Sequence, residues 1–76
     1  MSGRRNPVNH KKLPGSKWTA RRPVERQRHF IVLDWVRDED GMPTDMIEIE
    51  AVLTGDVRTL HWRELVDPET WRIGWQ

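Results

Sequence analysis

Cysteine is absent from the 76 residues. That excludes a disulfide framework and a thiolate zinc site as supplements to the core. Long apolar runs are missing too. The longest is Phe30-Ile31-Val32-Leu33, far too short for a membrane span or a secretory signal. Met1 to Arg5 carries charge, but no apolar stretch follows it. These absences lead to the expectation of a cytoplasmic, reducing setting with no membrane partner.

Catalytic signatures are equally scarce. No nucleophile elbow, P-loop, dinucleotide fingerprint or Ser/His/Asp ordering occurs. His10, His29 and His61 lack metal-ligand spacing. In the acidic stretch "DEDGMPTD" (38–45), taking Gly41 as the sixth position of a calcium loop puts Ile47 where a bidentate Glu is needed. The sequence therefore predicts no enzyme, no metal and no cofactor. Asp34 is the one oddly placed carboxylate, sharing a strand face with Phe30 and Val32; a strand edge or an arginine partner, Arg37 or Arg58, would accommodate it.

Acidic residues are thin at the N-terminal end. Residues 1–28 hold nine Lys/Arg against the single Glu25, whereas residues 29–76 hold four basic and eleven acidic side chains. A basic arm on an acidic body suits a polyanionic partner or self-complementation.

What the chain does have is tryptophan, five in all. Burying one hides about 150–250 Å², roughly 4–6 kcal/mol gross at about 25 cal/mol per Å². A domain this small has a marginal core, so the rings are first of all core staples.

Along the chain, residues 1–16 ("MSGRRNPVNHKKLPGS") read as a flexible basic arm ended by the Pro14-Gly15-Ser16 turn. Residues 17–76 form a single small β-domain. "KWTAR" (17–21) is a short strand stopped by Pro23, and "RHFIVLDWVR" (28–37) is the strongest strand. "MIEIEAVLT" (46–54) alternates cleanly. Gly55-Asp56 then predicts a two-residue type II′ turn, setting Ile49 opposite Trp62, Ala51 opposite Leu60, Glu50 opposite His61 and Glu48 opposite Arg63. Asp67-Pro68 reads as a helix start and Gly74 as its stop. The expected fold is mainly β: a three- to four-stranded antiparallel meander, open or curled into a half-open barrel, with a short C-terminal helical turn packed on it.

The motifs "NP", "KKL", "SKWTA", "RHFIV", "EAVLT", "WREL", "DPETW" and "GW", in that order from Asn6 to Trp75, resemble the small tryptophan-rich bacterial family of unknown function. Trp18, Trp62, Trp71 and Trp75 sit where its pattern has tryptophan; Trp35 is an extra packing residue. The resemblance implies a standalone bacterial protein and no assigned activity.

Two binding surfaces compete. Lys11, Lys12, Lys17, Arg21, Arg22, Arg26 and Arg28 around Trp18 combine cations for phosphates with a ring for stacking, the recipe for single-stranded nucleic acid on a small β platform. The bland alternative makes Trp18 core and the arginines a solvated edge. The second surface is a protein-interaction patch of Trp71 and Trp75 with the acidic body. Trp62 and Trp71 are expected to be buried, which leaves Trp75 as the open ring.

Overall fold

A computed structural model describes residues 5–76. Five strands, β1 (Lys17–Val24), β2 (Gln27–Arg37), β3 (Pro43–Ala51), β4 (Val57–His61) and β5 (Trp71–Ile73), form one open antiparallel sheet in the order β4-β3-β2-β1-β5. A 3₁₀ helix (Trp62–Val66) links β4 to β5. The mainly-β expectation holds. No helix among the described residues is long and apolar enough to cross a membrane.

One face of the sheet carries the core. Trp18, Phe30, Val32, Ile47, Ile49, Leu60 and Trp71 are buried there, with Leu13 and Leu65 covering them from outside the sheet. Alternation along β3 explains its share: Ile47, Ile49 and Ala51 are buried, and Glu48 is exposed.

Strand β2 needs a correction of phase to do the same. Val32 pairs with Ile49, but Trp35 pairs with Ile47 and Asp34 with Glu48, so an extra residue sits between Val32 and Asp34. This β-bulge resolves the oddity of Asp34. Beyond it Trp35, rather than Asp34, joins the core-facing series. Asp34 turns to solvent and accepts the backbone N–H of Trp35 at 2.7 Å. Neither expected arginine partner is used: Arg37 donates to Gly41 O at 3.1 Å, and the Arg58 guanidinium lies 5.1 Å over the Phe30 ring.

The β3–β4 register also differs from the expected one. Ala51 N–H donates to Asp56 O and Gly55 N–H to Ala51 O, both at 2.8 Å. The loop is thus four residues, Val52 to Gly55, closed by Gly55 at φ 78°. Ile49 consequently faces Arg58 instead of Trp62, and Glu50 faces Val57 instead of His61. The slide is even, so the residues that remain in β3 and β4 keep their expected faces. The two charge pairs foreseen on the outer face are not formed, and Trp62 leaves the sheet to begin the 3₁₀ helix.

The helical turn expected after Asp67 stops early. Asp67 caps as foreseen, accepting from Glu69 N–H at 3.0 Å and from Thr70 Oγ1 at 2.8 Å. A single turn is poorly stable alone, and the free edge of β1 competes for the next residues. Trp71 pairs with Ala20 and Ile73 with Trp18, making β5.

The expected flexible arm is docked over its described length; its residues 1–4 lie outside the described residues. Asn6 Nδ2 donates to Leu65 O at 2.9 Å and to Trp71 O at 2.8 Å, while its N–H donates to Val66 O at 2.9 Å. Leu13 is buried and Val8 packs against the core. Gly15 N–H donates to Val32 O at 2.7 Å. Two apolar anchors and one amide clamp offset part of the cost of ordering this segment.

Candidate nucleic-acid interface

The basic residues expected to act together are distributed by the fold over several surfaces. Consecutive strand residues point to opposite faces, and Arg21 and Arg22 part in that way. Arg22 borders a cleft beside Trp71 on the core side. Arg21 joins Arg28 on another cleft, which Thr19 also lines. Arg26 occupies the tip of the β1–β2 turn. Lys11 and Lys12 belong to a turn built on Asn9, whose Oδ1 accepts their N–H groups at 3.0 and 3.3 Å. Lys11 there borders a third cleft, with Trp35 and Arg37.

Trp18 is core. It is 3% exposed and donates its indole N–H to Ser16 Oγ at 2.8 Å. Its ring is closed to an incoming base, so the stacking role assigned to it falls away. Trp71, one half of the alternative protein-binding pair, is 2% exposed and equally closed.

What the fold does assemble lies around Thr19. Gly74, at φ 79°, turns the chain back across the sheet. Thr19 Oγ1 donates to Gly74 O at 2.7 Å and accepts from Gln76 N–H at 2.9 Å. Trp75 is 43% exposed, and its indole N–H donates to Phe30 O at 2.9 Å. His29 stacks on it with ring centroids 5.7 Å apart, and Lys17 Nζ lies 4.8 Å from the ring centroid. The next residue, Gln76, lines a cleft of about 250 Å³ together with Arg21, Arg28 and Arg72.

No Asp or Glu side chain is among the residues that line that cleft, and the main-chain oxygen of Gln76 lies 2.9 Å from His29 Nε2. Arg21 is held partly in place by donating to Pro68 O at 2.9 Å. Three guanidinium groups with no acidic side chain among the lining residues form a local positive field, and each guanidinium presents a planar fork matched to phosphate. Of the residues foreseen, Lys17, Arg21 and Arg28 meet here. Arg72, His29 and Thr19 were not foreseen. Reading 71–73 as a strand, Trp71 in and Arg72 out, is the signal that would have found Arg72.

The family model for Tryptophan-rich protein (DUF2389) matches residues 16–76. The chain belongs to this family. No curated protein matches the chain, and no solved structure matches it. In this member of the tryptophan-rich family the rings divide their work. Trp18 and Trp71 fill the core. Trp35 and Trp62 pack partly buried against it and flank His10, at centroid distances of 5.4 and 4.5 Å. Trp75 alone lies half open beside a cationic cleft. Among the described residues no group of three or more His, Cys, Asp or Glu is placed to hold a metal ion.

Proposed function

We propose that this member of the tryptophan-rich family is a non-catalytic binding module for phosphate-bearing chains, and that single-stranded nucleic acid is the form it takes up. The reading rests on one observation: Arg21, Arg28 and Arg72 line a cleft to which no Asp or Glu side chain contributes. A phosphate entering it gains charge-assisted hydrogen bonds without displacing an internal ion pair. Trp75, half exposed and adjacent in sequence to Gln76 of the cleft wall, supplies aromatic surface for a neighbouring base. Lys17 beside that ring extends the positive track, and His29 stacks on the ring. The proposal sets the protein in the cytoplasm, where single-stranded RNA is at hand.

Charge counting along the sequence points to the N-terminal arm as the main contact. The docking of Asn6, Val8 and Leu13 changes its test, because removing residues 1–16 would strip the core. The informative variants are Arg72→Glu and the pair Arg28→Ala with Arg21→Ala, all exposed positions. In fluorescence anisotropy with a labelled single-stranded oligonucleotide, affinity should fall steeply with salt, by a log–log slope of about −0.7 per phosphate contacted. Arg72→Glu should weaken binding roughly tenfold or more, a change of about 1.4 kcal/mol, and flatten the salt slope. If the intact protein gives no salt-sensitive signal with any single-stranded oligonucleotide, the proposal is dead.

A further inference from the structure

On the core side of the sheet, β1, β4 and the 3₁₀ helix enclose a cleft of about 330 Å³ whose wall includes Ala20, Arg22, Arg58, Leu60, Glu64 and Trp71. It shares only Ala20 with the cationic cleft around Thr19. Trp71 brings an unusual feature. Its indole N–H is shut off from solvent and has no acceptor among the described residues. By contrast, the indole N–H groups of Trp18, Trp35 and Trp75 each donate to an oxygen. Buried donors are almost always partnered, and one left alone is costly.

Two cations share the cleft wall with Trp71. The Arg58 guanidinium lies 5.8 Å over the Trp71 ring, on an exposed side chain free to adjust. Arg22 stands close enough to Asp67 to help depress its pKa, and it lines the same cleft. We propose that this cleft binds a small carboxylate with a short apolar body. Its oxygens are shared between the Arg22 and Arg58 guanidinium groups and the Trp71 indole N–H, and its body rests against Ala20 and Leu60. A planar two-oxygen head fits the guanidinium fork. Glu64, in the same wall, selects against a doubly charged phosphate by repulsion. Arg58 swings off the ring as the carboxylate enters, and the ring then gives its N–H the acceptor it lacks.

The test uses the full chain labelled with ¹⁵N, which gives each of its five tryptophans an indole resonance. Benzoate is titrated to about 10 mM, the range for a weak fragment-sized ligand, at constant ionic strength, with benzyl alcohol as the uncharged control. The Trp71 indole proton should move downfield and saturate with a Kd of about 1 mM. Arg58→Gln, at an exposed position, should weaken that Kd roughly tenfold or more. The Trp71 resonance is assigned through its contacts to Phe30, so the test does not depend on a Trp71 variant that folds. Three outcomes overturn the proposal: a Trp71 resonance that stays in place, one that moves equally with benzyl alcohol, or an affinity unchanged in Arg58→Gln.

Discussion

Trp35 stands opposite Ile47 although Val32, three residues earlier on the same strand, stands opposite Ile49. Three residues of β2 therefore span only two of β3, and the surplus is absorbed between Val32 and Asp34. This bulge delivers Trp35 to the core side and Asp34 to solvent. Without it a carboxylate would face Ile47.

The bulge makes a deletion tolerable within it. Removing Leu33, which is 41% exposed, restores a regular ladder with Trp35 still inward and Asp34 still outward. Its stability by urea denaturation should stay within about 1 kcal/mol of the parent. Removing Ile31 instead inverts half of the strand and should leave no cooperative transition. Equal damage from both deletions would mean that the curvature of the bulge, not its phase, is what the sheet needs.

The β1–β2 turn carries strain. Val24 pairs with Gln27, and the two residues between them, Glu25 and Arg26, have φ of 55° and 66°. That is the backbone of a type I′ turn, which favours Asn-Gly. A side chain held in the left-handed region costs about 1–2 kcal/mol. Replacing Glu25 by Asn and Arg26 by Gly should therefore raise stability by about 1 kcal/mol. Oligonucleotide affinity should be retained, because Arg26 lies outside the cationic cleft. A lowered urea midpoint would contradict this reading of the turn.

The two core tryptophans should respond differently to the same change. Trp18→Phe loses volume and a hydrogen bond to Ser16, whereas Trp71→Phe loses volume and removes an unpartnered donor. Trp18→Phe should cost about 1 kcal/mol more than Trp71→Phe. Thermal or urea unfolding of the two variants decides it; the reverse order would show that the Trp71 N–H is satisfied in solution.

Asp67 should register in acid. Hydrogen bonds from Glu69 N–H and then Thr70 hold its carboxyl below the ordinary 3.8, against a smaller opposing effect of desolvation, and the charge of Arg22 adds the smallest downward push. A depressed folded-state pKa means the stabilisation is present above the unfolded value and lost as pH falls through the folded one. Asp67→Asn should thus be less stable than the parent at neutral pH, with the gap narrowing below 3.8. A gap independent of pH would assign the effect to geometry alone.

Much of the sheet was legible from residue patterns. The alternation of β3 sets its faces whatever the turn, so Ile49 and Ala51 share one side as expected although their expected β4 partners are not the observed ones. Loop length was the hidden variable there: Gly55 can open a two-residue turn or close a four-residue one, and only the packing of Leu60 against the core decides. β5 was illegible for another reason. Asp67 and Pro68 are sound helix-start residues, and the competing partner, the edge of β1, lies far away in sequence. The candidate site inherits that gap, because Arg72 joins Arg21 and Arg28 only once β5 is in the sheet. The family resemblance marked Asn6 and the four pattern tryptophans without saying what they touch.

The clamp of Asn6 has a kinetic meaning. It joins positions 65 apart in the chain, and β5 reaches β1 across nearly as great a separation. The hairpins β2–β3 and β3–β4 close short loops and can assemble early, but the seal between Asn6, Trp71 and β1 bears most of the loop-closure entropy. It should therefore form last and open first, an order that pulsed hydrogen exchange at the Trp71 and Ile73 amides would check. Weakening it by Asn6→Ala would then hasten unfolding and leave the rate of folding nearly untouched, so that one asparagine near the start of the described chain sets how long the native state lasts.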